Sequence, residues 1–238
     1  MKILKYFSIL TIVVILSNFK TNAQNDFVFG ANGSYFIPFG SLAERLEPTI
    51  GGSFYFGMET SENWTWIGRV EYFKFNKENK EKLFLKRKLT VNGIESDYEI
   101  PLPDLKISLE IAGISAAAEY KVIETNFMNV KATFGFGLYK WFSKRSAYYD
   151  SLYIDTTGTG DFKLAEILNV PANSQTDWSG GFDLGLDINV NVYGPMWITT
   201  GARYKTVVGE IWPALDLDLE NISTFQMFEI RAGVRIKL

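Results

Sequence analysis

Alternation of apolar and polar residues is the main pattern along this chain. It is clearest from Phe182 to Val192, where every second position is apolar and the positions between them hold Asp, Gly and Asn. From Phe228 to Leu238 the chain alternates in the same way, with charged residues or Gly between apolar ones. A period of two is typical of a β-strand, because successive side chains of a strand point to opposite faces.

The alternation recurs often enough to predict eight strands. They are placed at residues 26–37, 49–59, 64–75, 106–123, 130–142, 178–192, 196–208 and 225–238. Within the fourth strand the apolar positions change from odd to even numbers between Ile111 and Ile114. A one-residue β-bulge near Ala112 and Gly113 would explain this change, because a bulge adds one residue to one strand.

Short and long connections alternate between these strands. The short ones are residues 60–63, 124–129 and 193–195, and the long ones are 38–48, 76–105, 143–177 and 209–224. Barrels that cross a membrane have an even number of strands, with short turns at one end and long loops at the other. The order of connections therefore predicts an antiparallel up-and-down barrel.

A soluble barrel also alternates, but with its apolar face inward. Here the polar positions hold many small residues that fit inside a narrow barrel, and the aromatic residues fall near the predicted strand ends, as in the two interfacial girdles of a membrane barrel. The aromatic residues are Trp64, Trp66, Tyr193 and Trp197 at one end, and Tyr35, Tyr72, Trp141 and Trp178 at the other. We therefore predict an all-β fold, a closed antiparallel up-and-down transmembrane β-barrel.

Residues 83–100 leave the number of strands open. Asn92-Gly93 lies between two extended runs, which is a strong hairpin signal. We predict a hairpin that projects above the membrane, with membrane strands in this region, ten in total, as the alternative. The alternative is disfavoured because it would place Arg87 on the lipid face, at a cost of ~2–4 kcal/mol at mid-bilayer.

The first 23 residues have the pattern of a secretory signal peptide. Lys2 and Lys5 precede an apolar run at residues 7–16, and small residues lead to Ala23. The run is too short for a transmembrane helix, which needs ~20 residues. We expect cleavage after Ala23, leaving residues 24–238 as a single barrel domain with long extracellular loops near 76–105, 143–177 and 209–224.

Composition limits the chemistry of the chain. It contains 0 Cys and 0 His, which excludes a Ser-His-Asp triad, a Cys nucleophile and a thiolate metal site. Its net charge is −3, which gives no reason to expect nucleic acid as a partner. We expect no catalytic residues, no cofactor and no metal, and therefore a protein that is not an enzyme.

Charged residues of both signs fall on the predicted inner face. Buried charges cost several kcal/mol each unless they are paired, so we expect a salt-bridge network that fills the lumen in a structural role, with an ion path as the alternative. Its members are Arg69, Glu71, Glu119, Lys131, Asp183, Asp187, Arg203, Lys205, Glu229, Arg231 and Arg235.

Three short segments resemble a known family. They are Asn22-Ala23-Gln24, Pro38-Phe39-Gly40-Ser41-Leu42 and Gly233-Val234-Arg235-Ile236-Lys237-Leu238. With the strand pattern they make the chain, from Asn25 to Leu238, similar to the small outer-membrane β-barrel family of Gram-negative bacteria, which includes PorT-like proteins. Leu238 departs from the aromatic residue that commonly ends such barrels.

The resemblance and the pattern together imply a location and a role. We expect the cell outer membrane as the location, with membrane lipid and lipopolysaccharide as partners. The expected function is that of a non-enzymatic barrel with a sealed polar lumen. Its outer loops would serve a structural, surface-assembly or adhesion role and contact a protein partner. A narrow channel for small solutes or hydrophobic ligands is the alternative.

Overall fold

The computed structural model describes residues 26–91, 94–102, 104–155, 159–160, 162–209 and 224–238. The predicted signal peptide, the tip of the predicted hairpin at residues 92–93 and most of the last predicted loop lie outside the described residues. Across the described ranges, no helix has both the length and the apolar character needed to cross a membrane.

Eight long strands form one closed barrel, so the predicted fold class is confirmed. Within the barrel each strand pairs antiparallel with the strands before and after it, and the last strand closes on the first. The barrel strands are β1 (Asp26–Phe39), β2 (Thr49–Glu59), β3 (Trp64–Phe75), β6 (Ile107–Glu124), β7 (Met128–Arg145), β10 (Asn173–Tyr193), β11 (Met196–Val207) and β12 (Phe225–Lys237).

Two further hairpins lie outside the barrel sheet. They are formed by β4 (Phe84–Val91) with β5 (Ile94–Pro101), and by β8 (Tyr148–Asp155) with β9 (Phe162–Val170). Each is a separate two-stranded sheet. The ten-strand alternative is therefore wrong, because β4 and β5 pair with each other and not with the barrel. The sequence analysis predicted no strands at the positions of β8 and β9.

The two ends of the barrel differ. At the turn end the strands are joined by residues 60–63, 125–127 and 194–195, and at the loop end by residues 40–48, 76–106, 146–172 and 208–224. The longest strands, β6, β7 and β10, contain 18, 18 and 21 residues. They remain paired as far as Arg145, so this part of the wall extends furthest at the loop end.

The outer face of the barrel wall is apolar and the inner face is polar over most of its length. Leu186 is 55% exposed, whereas its neighbour Asp187 is fully buried. Large apolar side chains are exposed around the whole circumference, including Phe54, Val70, Ile114, Phe134, Leu184, Ile198 and Ile230. Because a closed sheet also satisfies the backbone hydrogen bonds of its strands, this surface suits the hydrocarbon interior of a membrane.

The predicted bulge near Ala112 and Gly113 is wrong. The register of β6 with β3 and with β7 runs without a shift through both residues. Ile111, Gly113 and Ser115 all face the interior. The apolar positions change parity because the interior itself changes from apolar near Ile111 to polar near Ser115. A register shift in β6 does occur, between Lys121 and Ile123 at the turn end.

A group of apolar side chains, which we call the cap, closes the interior at the loop end. Its members are Phe36, Leu42, Leu46, Phe73, Phe75, Leu109, Ile111, Tyr139, Trp141, Val207, Phe225 and Met227. Six barrel strands contribute to it, and Leu42 belongs to a short 3-10 helix, Gly40–Leu42. The cap thus gives the loop end a dry core of its own.

Trp141 belongs to the cap and not to the outer aromatic girdle, so its predicted position was wrong. It is 1% exposed, and its indole Nε1 donates a hydrogen bond to Ser179 Oγ at 2.8 Å. Every second residue of β7 points inward, and Trp141 lies on this inward face together with Tyr139. The predicted girdle residues Tyr35, Tyr72 and Trp178 are exposed at the loop end, as are Trp64, Trp66 and Tyr193 at the turn end. The girdle position predicted for Trp197 was wrong, because it is half-buried on the inward face of β11.

A second apolar cluster, which we call the crown core, lies above the cap. It consists of Leu83, Leu102, Leu105, Tyr148, Leu168 and Val170, and Ile107 packs against both clusters. Tyr148, Leu168 and Val170 belong to the β8–β9 hairpin, whereas Leu83, Leu102 and Leu105 lie in the segments that join β4 and β5 to the barrel. The hairpins and the crown core together form the crown of the molecule.

Candidate functional site

The structure places all eleven predicted network residues in the lumen. Each is less than 5% exposed, and together they form three layers between the turn end and the cap. The first layer lies at the turn end, around Glu119. Lys131 Nζ donates to Thr65 Oγ1 at 2.8 Å and lies 3.5 Å from both Glu119 and Glu59. Arg235 Nη1 donates to the same Glu119 carboxylate at 2.8 Å.

The middle layer is organised by two aspartates on β10. Asp187 accepts a hydrogen bond from Arg231 Nε at 2.8 Å, a second bond from Arg231 Nη2 and one from Thr133 Oγ1 at 2.8 Å. Arg203 lies between the two aspartates, 3.7 Å from Asp187 and 3.6 Å from Asp183. Two carboxylates thus share one guanidinium group at the axis of the barrel.

Asp183 also connects the middle layer to the opposite wall. Arg69 on β3 donates to it from Nη1 at 3.2 Å and from Nη2 at 3.4 Å. This two-fold contact suits the planar fork of an arginine side chain. It links two strands that are not neighbours in the sheet.

The third layer surrounds Lys205, directly below the cap. Its ammonium group pairs with Glu71 and lies 3.9 Å from Glu229, which also accepts a hydrogen bond from Ser34 Oγ at 2.7 Å. The ammonium group is 5.4 Å from the ring centroid of Tyr139 in the cap. The charged layers and the apolar cap are therefore in direct contact.

Ion pairs cross the full width of the lumen. Lys205 on β11 reaches Glu71 on β3, and Arg235 on β12 reaches Glu119 on β6. In the order of the closed sheet, each of these pairs joins strands on opposite sides of the barrel. An eight-stranded barrel has an interior just wide enough to be filled by side chains. The network therefore occupies the axis where an open pore would run.

The sequence analysis missed several members of the interior. Glu59 and Lys237 form an ion pair of 2.7 Å at the turn end, and Lys237 also lies 2.9 Å from Asp26. The alternation places both Glu59 and Lys237 on the inward face of their strands, but the predicted network did not include them. The cap carried a similar signal, because its residues on β3, β7 and β12 occupy inward positions near the loop end.

An open cleft of about 700 Å³ lies at the loop end, where β6, β7 and β10 extend furthest. Its lining includes three basic side chains, those of Lys106, Lys144 and Arg145, and one acidic side chain, that of Glu78. Glu78 Oε1 already accepts a hydrogen bond from the backbone of Ile107 at 3.0 Å. The volume of the cleft lies within the range of ligand-binding sites, and the excess of basic side chains in its lining favours an anionic ligand.

Lysine residues also accompany the aromatic residues on the outer wall near the cleft. Lys140 Nζ lies 6.0 Å from the ring centroid of Trp178, and Lys144 Nζ lies 4.8 Å from that of Phe142. In membrane proteins, aromatic rings mark the interface and long basic side chains reach from it toward water and lipid headgroups. The positions of these lysines fit that interface.

Within the part of the chain that the structure describes, no group of three or more His, Cys, Asp or Glu residues could hold a metal ion. No protein-family model matches the chain. None of the curated proteins matches it either.

Solved structures with the same fold do exist. A major outer membrane protein from Thermus thermophilus superposes with a TM-score of 0.53 at 11% identity, covering 91% of this chain and 100% of that one. Neisserial surface protein A gives 0.43 at 17% identity, covering 89% and 97%. The attachment invasion locus protein of Yersinia pestis gives 0.41 at 11% identity, covering 90% and 97%. At these identities the likeness concerns the fold.

The closed sheet, the apolar outer face and the charged interior decide the class of the protein. It has the fold of the outer-membrane β-barrels. Closed barrels with an apolar outer band and a polar interior are the form in which strands cross that membrane. The apolar band places the wall of this barrel in lipid, and the crown lies beyond the aromatic residues at one end.

Proposed function

We propose that the protein is a non-enzymatic outer-membrane barrel with a sealed lumen, acting at the cell surface through its crown in adhesion or surface assembly. The observation that supports this most is the combination of cross-lumen ion pairs with an apolar cap. The ion pairs and the cap fill the axis of the barrel, so a partner would not bind inside the lumen. The larger irregular surfaces on which a partner could bind lie at the loop end.

The orientation and processing of the chain are part of this proposal. Residues 1–23 act as a signal peptide, and residues 24–238 form the mature single-domain protein. The loop end then faces outward, because long loops of outer-membrane barrels are extracellular and short turns are periplasmic. Kinship with PorT-like proteins would fit a role as a subunit of an export or surface assembly.

The lumen charge network has a structural role in this proposal. Its acidic and basic groups neutralise one another, since an unpaired charge in a dry interior would be costly. Paired in this way, the side chains fill the barrel and hold opposite walls together. The network would therefore determine stability and would not transport ions.

The basic cleft and the interfacial lysines support lipopolysaccharide as a surface partner. Lys144 lines the cleft and is also one of the interfacial lysines. Lys106, the residue just before β6, also lines the cleft. Phosphate groups on the sugars of lipopolysaccharide have the charge that these side chains attract. Tyr149 and Tyr153 on β8 are exposed and would suit contacts with a protein partner.

Binding of lipopolysaccharide to the purified protein in detergent tests this proposal. The double variant Lys106→Gln/Lys144→Gln should bind phosphorylated lipopolysaccharide less tightly, and the difference should vanish with dephosphorylated lipopolysaccharide. Lys88→Gln is the matched control, because Lys88 is exposed on β4 but does not line the cleft. Equal loss of binding in the control and the cleft variant would contradict a role for the cleft.

A narrow channel is the second candidate, favoured by the continuous column of charged side chains below the cap. Recordings in planar bilayers separate the two candidates. A sealed barrel should give no stable conductance steps, and reproducible steps would establish the channel instead. Hydrolysis of outer-membrane lipids by the purified protein would overturn the non-enzymatic proposal.

A further inference from the structure

A small closed cavity lies at the centre of the lumen, between the turn-end layer and the middle layer. It has a volume of about 10 Å³, which is enough for one water-sized particle. Nine residues line it, and four of them are arginines. The arginines are Arg69, Arg203, Arg231 and Arg235, and Glu119 supplies the carboxylate of the lining.

Several hydrogen-bond donors at this cavity lack an acceptor. Arg203 Nε and Nη1, Arg235 Nη2 and Asn32 Nδ2 are buried and form no hydrogen bond with any described residue, although Arg203 Nη1 lies 3.6 Å from Asp183. Asn32 Oδ1 and the hydroxyl of Tyr55 also have no partner among the described residues, so the donors outnumber these two groups. The three donor side chains come from β11, β12 and β1, and each residue is more than nine-tenths buried. A buried donor without an acceptor is destabilising, and more so when it is charged. An acceptor in the cavity would remove that cost.

The charge around the cavity is not balanced. The four arginines pair with only three carboxylates among the described residues, those of Asp183, Asp187 and Glu119. Glu119 is also shared with Lys131. The carboxylate that balances the whole network belongs to the layer around Lys205, where Glu71 and Glu229 share one ammonium group. Positive charge therefore predominates at the cavity itself.

We propose that this cavity binds one monatomic anion, chloride in its natural setting. A halide ion accepts hydrogen bonds from several directions, and its negative charge suits a lining of four arginines and one glutamate. It is a single atom, larger than a water molecule but much smaller than phosphate, sulfate or carboxylate ions, which are too large for the cavity. The ion links the turn-end and middle layers and completes the network. This proposal is independent of what the crown binds.

The experiment compares anions during refolding, because the closed barrel gives an ion little access. The protein is refolded from urea into detergent in chloride, bromide or gluconate at equal ionic strength. Stability toward urea should rise with chloride or bromide and not with gluconate. For one site, the folding equilibrium constant increases about 100-fold when the anion reaches 100 times its dissociation constant. Crystals grown in bromide should show one anomalous peak in the cavity.

Asn32→Asp is the decisive variant, because it adds a fixed carboxylate to the lining of the cavity. It should abolish both the dependence of stability on chloride and the bromide peak. Asn189→Asp is the control, since Asn189 is also buried and faces the lumen but does not line the cavity. Asn189 meets the lining only through the hydrogen bond that its Oδ1 accepts from Thr199, which Asp can also accept. The control should retain the chloride dependence and the peak, even if its overall stability is lower.

Three results would overturn the proposal. One is a water molecule in the cavity of the bromide crystals with no anomalous signal. Another is equal stability of the parent protein in chloride and gluconate. The third is loss of the chloride dependence in Asn189→Asp as well, which would indicate a general charge effect. The crystal of the parent protein decides the matter even if Asn32→Asp does not fold.

Discussion

The lumen is divided into two regions that are closed by different forces. Between the turn end and the cap, ion pairs such as that of Arg231 with Asp187 join the strands of the wall. At the loop end, the cap is filled by apolar residues such as Phe73 and Leu109. The charged region depends on matching partners, because removing one charge leaves the other uncompensated. The cap depends on volume, because its packing is non-directional. The same barrel wall thus supports one region defined by charge and one defined by shape.

The largest effect is expected from breaking a pair in the charged region. Arg231→Met keeps a long side chain but leaves Asp187 without its main partner, which should destabilise the barrel by ~3–5 kcal/mol. Urea unfolding in detergent, followed by tryptophan fluorescence, measures the change. Asp187→Asn in the same chain should restore part of the loss, because the amide removes the uncompensated charge. An unchanged urea midpoint for Arg231→Met would mean that the pair contributes nothing to stability.

Replacement of a side chain by Met should have a much smaller effect in the cap than in the charged region. Leu109→Met conserves volume and should cost less than about 1.5 kcal/mol. Leu109→Ala leaves a cavity and should cost ~2–5 kcal/mol. The two variants are compared by urea unfolding under the conditions used for Arg231→Met. Equal losses for Met and Ala at position 109 would show that volume does not determine the stability of the cap.

The border between the two regions is sensitive to a single methyl group. A Cβ atom at Gly113 would overlap the ring of Tyr139, so Gly113→Ala should cost ~1–3 kcal/mol. Gly180→Ala is the matched control, because a Cβ there would lie 3.9 Å from its nearest neighbour, Phe136, in ordinary contact. The control should unfold at the urea concentration of the parent protein. A similar loss in both variants would point to a general effect of replacing glycine in a strand.

The smallest effect concerns the crown, which lies outside the membrane. Burial and the neighbouring Asp150 carboxylate raise the pKa of the Tyr148 hydroxyl to about 12, and the hydroxyl donates a hydrogen bond to Asp150 at 2.9 Å. Tyr148→Phe should cost ~0.5–1.5 kcal/mol near neutral pH.

The raised pKa of Tyr148 also predicts a pH dependence. Because the folded pKa lies above the ordinary value of about 10, the folded state keeps the proton where the unfolded state loses it. The contribution of Tyr148 to stability is therefore present below about pH 10 and decreases as the pH rises toward 12. Urea unfolding between these values should show a steeper loss in the parent protein than in Tyr148→Phe. Identical slopes in the two proteins would show that Tyr148 does not cause the pH dependence.

The sequence by itself determined the barrel. A period of two over eight segments, with apolar residues opposite small and charged ones, allows little besides a closed sheet in lipid, because one face must be apolar and each strand must be paired. The same period placed Asp183, Asp187 and Arg203 on the inner face. Strand bounds such as Thr49–Glu59 and Trp64–Phe75 followed because the turn residues interrupt the alternation sharply.

Only the tertiary structure decided what fills the interior at each level. Periodicity tells which residues share a face but not what that face contacts. The apolar inward residues of the cap therefore led to two wrong predictions, a bulge at Ala112 and Gly113 and a girdle position for Trp141. Which cation meets which carboxylate also depends on the stagger of strands far apart in the chain, as for Lys205 and Glu71. The central cavity and the loop-end cleft arise where such strands meet, because the shape of a cavity depends on several walls at once.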